Sequence, residues 1–151
     1  MTTSTPSSTS DRVLVAEPRH SRGLVDTSVI IDLGQVDAGG LPTEIAVSAV
    51  TLAELAAGPH ATGDADERAR RQDRLQRTEA TFESLPVDGA VARAYGRVYA
   101  AVAGRKARGR RAFDLLIAAT ALASELPLYT RNPNDFAELE ELIEVVAVPV
   151  R

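Results

Sequence analysis

Short apolar segments that alternate with longer helical patterns are the feature that most restricts the fold of this 151-residue chain. Five apolar segments are predicted strands: residues 23–25, 45–47, 85–87, 126–129 and 143–148. Six stretches between and after them are predicted helices: residues 28–37, 49–57, 64–84, 90–103, 113–124 and 133–142. Strands and helices that alternate in this way predict an α/β domain with a mainly parallel central sheet flanked by helices.

The composition excludes several kinds of site. The chain has no cysteine, which rules out a disulfide framework, a thiol nucleophile and Cys₂His₂-type zinc sites. Its only histidines, His20 and His60, lie in polar, turn-like surroundings, so neither a histidine general base nor a zinc hydrolase is indicated. The formal net charge of −4 argues against a surface that is basic throughout, but it permits a local basic patch.

The N-terminal residues differ in composition from the rest of the chain. The first ten include eight serines or threonines, with no basic segment and no long apolar one, so they do not form a secretory signal. We therefore predict a flexible tail over residues 1–22 and one folded domain over residues 23–151. No stretch approaches the roughly 18–20 apolar residues that span a bilayer, and the absence of cysteine fits a reducing cytosol, so a cytoplasmic protein without a membrane segment is expected.

Four short motifs each place a carboxylate at the edge of an apolar segment. Asp26 follows the first predicted strand, Glu54 lies in the helix after the second, Asp114 starts the most apolar helix, and Asp135 lies beyond the fourth strand. Functional sites of open α/β sheets gather outside the carboxyl ends of the strands, so these acids can share one cleft. An unpaired charge beside a core is costly, and an oxygen-only cluster suits Mg²⁺ or Mn²⁺. The pattern indicates a metal-dependent nuclease.

Each of these residues also has a purely structural interpretation. Asp26, Asp114 and Asp135 are alternatively helix caps, and Glu54 is alternatively a solvated helix residue. The hydroxyls beside the acids either orient substrate, ligands and water or serve as caps at strand ends. These hydroxyls belong to Thr27, Ser28 and Thr130.

A basic segment leads into the Asp114 motif. Residues 105–111 contain five cations in seven positions. A phosphodiester polymer that approaches a cluster of acids needs positive charge near by, so Arg108, Arg110 and Arg111 are predicted to contact a nucleic-acid substrate. The alternative is a loop that is merely soluble.

The four motifs, taken in order, resemble those of PIN domains, specifically VapC-type toxins of toxin–antitoxin pairs. They are Leu-Val-Asp-Thr-Ser, Thr-Leu-Ala-Glu-Leu, Phe-Asp-Leu-Leu-Ile-Ala-Ala and Thr-Arg-Asn-Pro-Asn-Asp-Phe, and the resemblance covers about residues 23–150. It implies a PIN-like fold and an Mg²⁺- or Mn²⁺-dependent endoribonuclease, usually a homodimer, that a VapB-type antitoxin holds inactive. By motif match, Asp26, Glu54 and Asp114 take the positions of the first three family acids. The fourth position falls to Asp135, which keeps its charge, or to Asn132 as a neutral oxygen donor.

Two other functions stay open from the sequence. A metal-dependent phosphohydrolase of small substrates would use the same acids, but it would have no need of the basic segment at residues 105–111. A non-catalytic PIN-like RNA-binding module would keep the fold without a productive metal site.

Overall fold

The computed structural model describes residues 20–103 and 111–151, which form one sheet with helices on both sides. The strands are β1 (Arg22–Val25), β2 (Glu44–Ser48), β3 (Glu83–Leu85), β4 (Leu128–Thr130) and β5 (Val145–Ala147). The α-helices are α1 (Thr27–Ile31), α2 (Ala49–Ala57), α3 (Ala65–Thr81), α4 (Gly89–Val102) and α5 (Arg111–Ser124). Shorter 3₁₀ segments are Ala38–Gly40, Gly58–Ala61 and Pro133–Leu139. None of the helices in the described residues is long and apolar enough to cross a membrane.

The strands all run parallel, in the order β3-β2-β1-β4-β5. β1 lies in the centre, where Val25 pairs with Val47 of β2 on one side and with Tyr129 of β4 on the other. The carboxyl ends of these three strands therefore lie next to one another at one edge of the sheet. This arrangement confirms the predicted α/β domain with a parallel central sheet.

Successive residues of the central strand face opposite sides of the sheet, and each side has its own hydrophobic core. Leu24 packs in the core that α4 and α5 cover, while Val25 packs in the core on the side of α1. Leu75 of α3 and Phe82, which follows that helix, pack against the second core. Strands buried on both faces have continuous apolar sequences, which is why short apolar segments located them.

Local capping groups set the helix boundaries that the sequence predicted best. The Ser48 hydroxyl accepts a hydrogen bond from the Val50 N–H at 3.0 Å, which starts α2, and Gly58 follows the last residue of that helix. The Asp88 carboxylate accepts a hydrogen bond from the Val91 N–H at 3.0 Å and starts α4 in the same way. Both helices agree with the prediction to within about one residue, because a cap depends only on neighbours in the sequence.

The first helix is shorter than predicted. The sequence indicated a helix over residues 28–37, whereas α1 ends at Ile31. Beyond it, Val36 is buried and forms an isolated antiparallel bridge with Val150 near the other end of the chain. The end of the predicted helix is therefore held in place by a long-range contact.

Two further predicted elements are corrected. The third strand was expected at residues 85–87 but is Glu83–Leu85, because Pro86 has no N–H to give to a strand ladder. Its position is fixed by pairing with β2, where Glu83 lies opposite Ala46. The last helix, expected at residues 133–142, is the 3₁₀ segment Pro133–Leu139.

The predicted tail is described only at its end. Residues 1–19 lie outside the described residues, and β1 starts at Arg22, one residue before the predicted start of the domain. His20 Nε2 lies 3.0 Å from a carboxylate oxygen of Glu144, and its ring meets the Tyr129 ring edge-on. Residues 20–22 are therefore packed against the domain, and the division into tail and domain otherwise stays a prediction.

Candidate active site

Asp26 lies directly after β1, at the carboxyl edge of the sheet. Its side chain caps α1 by accepting a hydrogen bond from the Val29 N–H at 3.3 Å. Only 5% of the residue is exposed, which is unusual for a carboxylate. The capping interpretation of the sequence is thus correct for Asp26, but capping does not require burial, and a cap alone leaves the burial unexplained.

Two hydroxyls hold the Asp26 carboxylate in one orientation. The Ser28 hydroxyl donates to Oδ1 at 2.5 Å, and the Thr130 hydroxyl donates to Oδ2 at 2.7 Å. Each hydroxyl oxygen also accepts a backbone hydrogen bond, Ser28 from the Arg131 N–H at 3.1 Å and Thr130 from the Asn132 N–H at 2.9 Å. Because a hydroxyl has one proton to donate, these backbone bonds direct both protons towards Asp26.

Burial dominates the electrostatics of Asp26. It raises the pKa of the carboxyl above the ordinary value of 3.8, while hydrogen bonds from Ser28, Thr130 and the Val29 N–H lower it. Within residues 20–103 and 111–151, no arginine, lysine or histidine forms an ion pair with this carboxylate. A buried carboxylate with neutral donors and no cation is a group for which a bound cation would supply the missing charge.

Thr27, the residue after Asp26 in the sequence, links Glu54 to this part of the site. The Thr27 hydroxyl donates to Glu54 Oε1 at 2.5 Å, and its oxygen lies 2.9 Å from the hydroxyl oxygen of Thr51. Since the Thr27 proton is given to Glu54, Thr51 is the donor of the second bond. Glu54 is half-buried on α2, which starts at the carboxyl end of β2, so it lies at the same edge of the sheet as Asp26.

The structure places Asp114 at that edge as well. It lies in the first turn of α5 and is half-buried. The far end of α5 leads into the start of β4, so the beginning of the helix must lie towards the carboxyl edge. A carboxylate in a first turn is also favoured by the helix dipole.

Asn132 and Asp135 follow β4 and are both exposed. The Asp135 N–H donates to the Asn132 carbonyl at 3.0 Å, which fixes the backbone turn that carries both side chains. They lie beyond the carboxyl end of β4, as predicted, but on the surface, whereas Asp26 is inside.

In the described part of the chain, no three acidic or histidine side chains lie close enough to hold one metal ion. Mg²⁺ needs few protein ligands, since it keeps several waters and is held by one or two carboxylates and the phosphates of a substrate. The oxygen donors at this edge fit an ion of that kind. The ligand set predicted from the sequence stays a prediction.

The hydroxyl predictions need one correction. Thr130 is completely buried and its hydroxyl is committed to Asp26, so it positions the carboxylate and has no access to a substrate. Ser28 is engaged with Asp26 in the same way but is half-buried, as is Thr27. Substrate contact by Ser28 and Thr27 stays a prediction.

The predicted basic contacts fall mostly outside the described residues. Arg108 and Arg110 lie in the undescribed stretch, and Arg111 is described only as the first backbone position of α5. The predicted contact of these three arginines with RNA therefore stays a prediction.

Sequence reasoning missed Thr51 and Arg131. Thr51 is three residues before Glu54, a spacing that places both on one face of a helix, and this signal was available. Arg131 forms an ion pair with Asp32, which caps the end of α1, and its N–H bonds to Ser28. It therefore ties α1 to the end of β4 across Asp26. That pairing depends on the contact between β1 and β4 and has no local signal.

A family model described as PIN domain matches residues 23–142. The matched range begins in β1 and includes each predicted ligand, from Asp26 to Asp135. The chain therefore belongs to the PIN-domain family, as its four motifs indicated.

Within the PIN-domain family, the proteins that this chain is similar to include VapC ribonucleases. The Mycobacterium tuberculosis protein named Ribonuclease VapC5 is 39% identical over 133 residues, which is 85% of this chain and 95% of that protein. Ribonuclease VapC of Rickettsia bellii is 31% identical over 135 residues, 85% of this chain and 97% of that protein. A chain in the crystal structure of VapBC-5, from a VapBC toxin–antitoxin system of M. tuberculosis, matches with a TM-score of 0.74 and 38% identity. That match covers 84% of this chain and 98% of the other.

Proposed function

We propose that this chain is an endoribonuclease, the toxin of a VapBC-type toxin–antitoxin pair, and that it hydrolyses RNA phosphodiester bonds with Mg²⁺ or Mn²⁺. The relatives named as ribonucleases match over nearly their whole length, which supports nuclease chemistry. The observation that carries the proposal is the buried Asp26 carboxylate, oriented by two hydroxyls at the carboxyl edge of the sheet.

Asp26, Glu54 and Asp114 are the residues that would hold the ion, with Asp135 or Asn132 as a further oxygen donor. A bound divalent ion would lower the pKa of a water molecule and neutralise charge on the phosphate. Acidic side chains alone repel a phosphodiester, so the site requires a cation before RNA can approach it.

The residues around Asp26 prepare this site before any ligand arrives. Ser28 and Thr130 fix the direction of both carboxylate oxygens, so little reorganisation is needed when an ion binds. The Thr27 hydroxyl holds one carboxylate oxygen of Glu54, and the half-buried Glu54 side chain stays accessible to solvent.

The direct test is Asp26→Asn in an RNA cleavage assay with Mg²⁺ or Mn²⁺. The substitution keeps the shape and removes the charge. Loss of outer groups around a metal typically costs 10- to 100-fold, so loss of a ligand should lower the cleavage rate by at least about 100-fold. Asp88→Asn is the matched control, because Asp88 also caps a helix and Asn caps equally well.

If Asp26→Asn cleaved RNA at the wild-type rate, the assignment of Asp26 to the active site would be wrong. A wild-type chain that hydrolyses small phosphate esters but no RNA would favour a phosphohydrolase. Metal-independent RNA binding without cleavage would favour a binding module.

The proposal includes a VapB-type antitoxin as the partner and a cytoplasmic homodimer as the working form. Its support is the VapBC-5 structure, in which the similar chain belongs to a toxin–antitoxin system. The test is whether a small protein encoded next to this chain co-purifies with it and stops RNA cleavage. Sedimentation of the chain without that protein tests the homodimer.

A further inference from the structure

Helix α3 carries five arginines, and four of them are bound to neighbouring groups. Arg68 donates to the Pro59 carbonyl at 3.1 Å and to the Thr62 carbonyl at 2.9 Å. Arg70 and Arg71 pair with Glu67 at 2.9 and 2.8 Å, and Arg77 pairs with Asp73. Arg74 is the exception, because its guanidinium forms no hydrogen bond or ion pair within the described parts of the chain.

Arg74 is half-buried and lines a cavity of about 390 Å³ together with Glu54 and Thr27. The other two charged residues of this cavity, Glu67 and Arg71, are paired with each other at 2.8 Å. Glu54 and Arg74 share the cavity without forming an ion pair in the described structure. The cavity thus holds one proposed metal ligand and one arginine that no carboxylate neutralises.

A second cavity, of about 370 Å³, continues from the first along α1 and α3. Arg74 and Ile31 line both cavities, so one continuous surface leads from Glu54 past Arg74. Ile31 is 48% exposed, and Phe82 also lines the second cavity. Apolar surface beside a cation suits a single nucleic-acid strand, which offers base faces and phosphates in turn.

We propose that Arg74 binds a backbone phosphate of the RNA strand next to the phosphate that is cleaved, and so sets the position of the strand in the site. This inference rests on the proposed ribonuclease function. A guanidinium suits the task because it can donate two parallel hydrogen bonds to phosphate oxygens. The other arginines of α3 are less available, since each would first have to leave its present partner.

The test compares Arg74→Gln with Arg93→Gln, using the full chain and a single-stranded RNA. Both variants remove one positive charge from a helix, but Arg93 is exposed on α4 and lines neither cavity. We expect Arg74→Gln to raise KM by about 10-fold with little change in kcat, as for loss of one charged hydrogen-bonded contact. Arg93→Gln should change KM by less than about 2-fold.

Salt dependence gives a second, independent readout. Loss of one phosphate contact to a single strand lowers the slope of log affinity against log salt by about 0.7. Arg74→Gln should show this decrease with Mn²⁺ and an RNA analogue whose phosphodiester bonds cannot be hydrolysed, and Arg93→Gln should not. Arg74→Lys should restore part of the affinity because it restores the charge. Equal melting temperatures of the variants would exclude misfolding as the cause.

Three outcomes overturn the inference, and they can be told apart. If the wild type cleaves RNA and Arg74→Gln matches Arg93→Gln in KM and slope, Arg74 does not contact RNA and the ribonuclease function still holds. If Arg74→Gln weakens only the binding of the VapB-type partner, the cavity belongs to the partner. A wild type that cleaves no RNA removes the proposed function and the role of Arg74 with it.

Discussion

The carboxyl edge of β1 and the surface of α3 hold charge in different ways. At the edge, Asp26 is buried and its oxygens accept hydrogen bonds from hydroxyls and a backbone N–H, with no described cation. On α3, Glu67 lies one turn from Arg70 and Arg71, and Asp73 one turn from Arg77. Asp26, Glu67 and Asp73 are all acidic side chains in or next to a helix, but of these three only Glu67 and Asp73 have arginine partners in the described structure.

We interpret the difference as one between charge that stabilises the fold and charge that is available to a ligand. Exposed ion pairs contribute about 0–1 kcal/mol each, mostly to the local helix. A buried carboxylate without a cation is unfavourable in the free protein and is tolerated where a ligand supplies the cation. By the same criterion, Arg74 differs from the other arginines of α3, and it lies in the cavity that contains Glu54.

Thr130→Val should have the largest effect on this comparison. It removes the donor to Asp26 Oδ2 and the acceptor for the Asn132 N–H while keeping the shape of the side chain. We expect unfolding free energy to fall by about 1–3 kcal/mol, because buried polar groups lose their partners. RNA cleavage should fall by about 10- to 100-fold, as for other groups that orient a metal ligand. Chemical denaturation and cleavage rates measure the two effects.

Thr78→Val is the matched control, since Thr78 is also buried but donates only to the Arg74 carbonyl in its own helix. Its cleavage rate should stay near that of the wild type. Similar losses of activity in both variants would mean that Thr130 matters only for packing.

Thr27→Val should have a smaller effect than Thr130→Val. It removes the hydroxyl that donates to Glu54 and accepts from the buried Thr51 hydroxyl. Because Glu54 is half-buried, water can replace its lost donor, and Thr51 is the one buried group that loses a partner. We expect a loss of stability of about 1 kcal/mol and a fall in cleavage rate of less than about 10-fold. If Thr27→Val lost more stability or activity than Thr130→Val, the expected order of these two hydroxyls would be reversed.

Glu67→Gln should have the smallest effect on stability. Hydrogen bonds from Arg71 and then Arg70 hold the pKa of Glu67 below its ordinary value of 4.5. Because the folded-state pKa is lowered, Glu67 stabilises the fold at neutral pH, and this contribution is lost as the pH falls through the lowered value. The melting temperature of the variant should therefore be slightly lower at neutral pH and should converge with that of the wild type in strong acid. A constant difference at every pH would exclude the ion pairs as its cause.

The sequence predicted those parts of the molecule that depend on neighbouring residues. Ser48 and Gly58 gave the bounds of α2, and the four motifs placed Asp26 and Glu54 at one edge of the sheet. What it did not predict depends on contacts between distant segments. Val36, beyond the early end of α1, is buried and bridges to Val150, and Thr130 reaches Asp26 only because β4 lies next to β1. The motifs identified the acidic residues, but the hydroxyls that donate hydrogen bonds to Asp26 could be recognised only from the folded structure.

The central claim is that the chain leaves the charge of Asp26 for a metal ion to neutralise. Burial raises the folded-state pKa of Asp26 above 3.8, so the folded state binds more protons than the unfolded state between these two values. Metal-free stability should therefore fall as the pH rises through that window, and Asp26→Asn should lack this contribution.

The most direct measurement is the unfolding free energy of the wild type and of Asp26→Asn at neutral pH, in chelator and with Mn²⁺. We expect Asp26→Asn to lose less stability in chelator than Thr130→Val, because the removal of a buried charge offsets the one hydroxyl hydrogen bond that the Asn amide nitrogen cannot accept. Mn²⁺ should stabilise the wild type by an amount that grows with its concentration, and should stabilise Asp26→Asn much less. If Asp26→Asn gained as much stability from Mn²⁺ as the wild type, the claim would be contradicted and Asp26 would be only a helix cap.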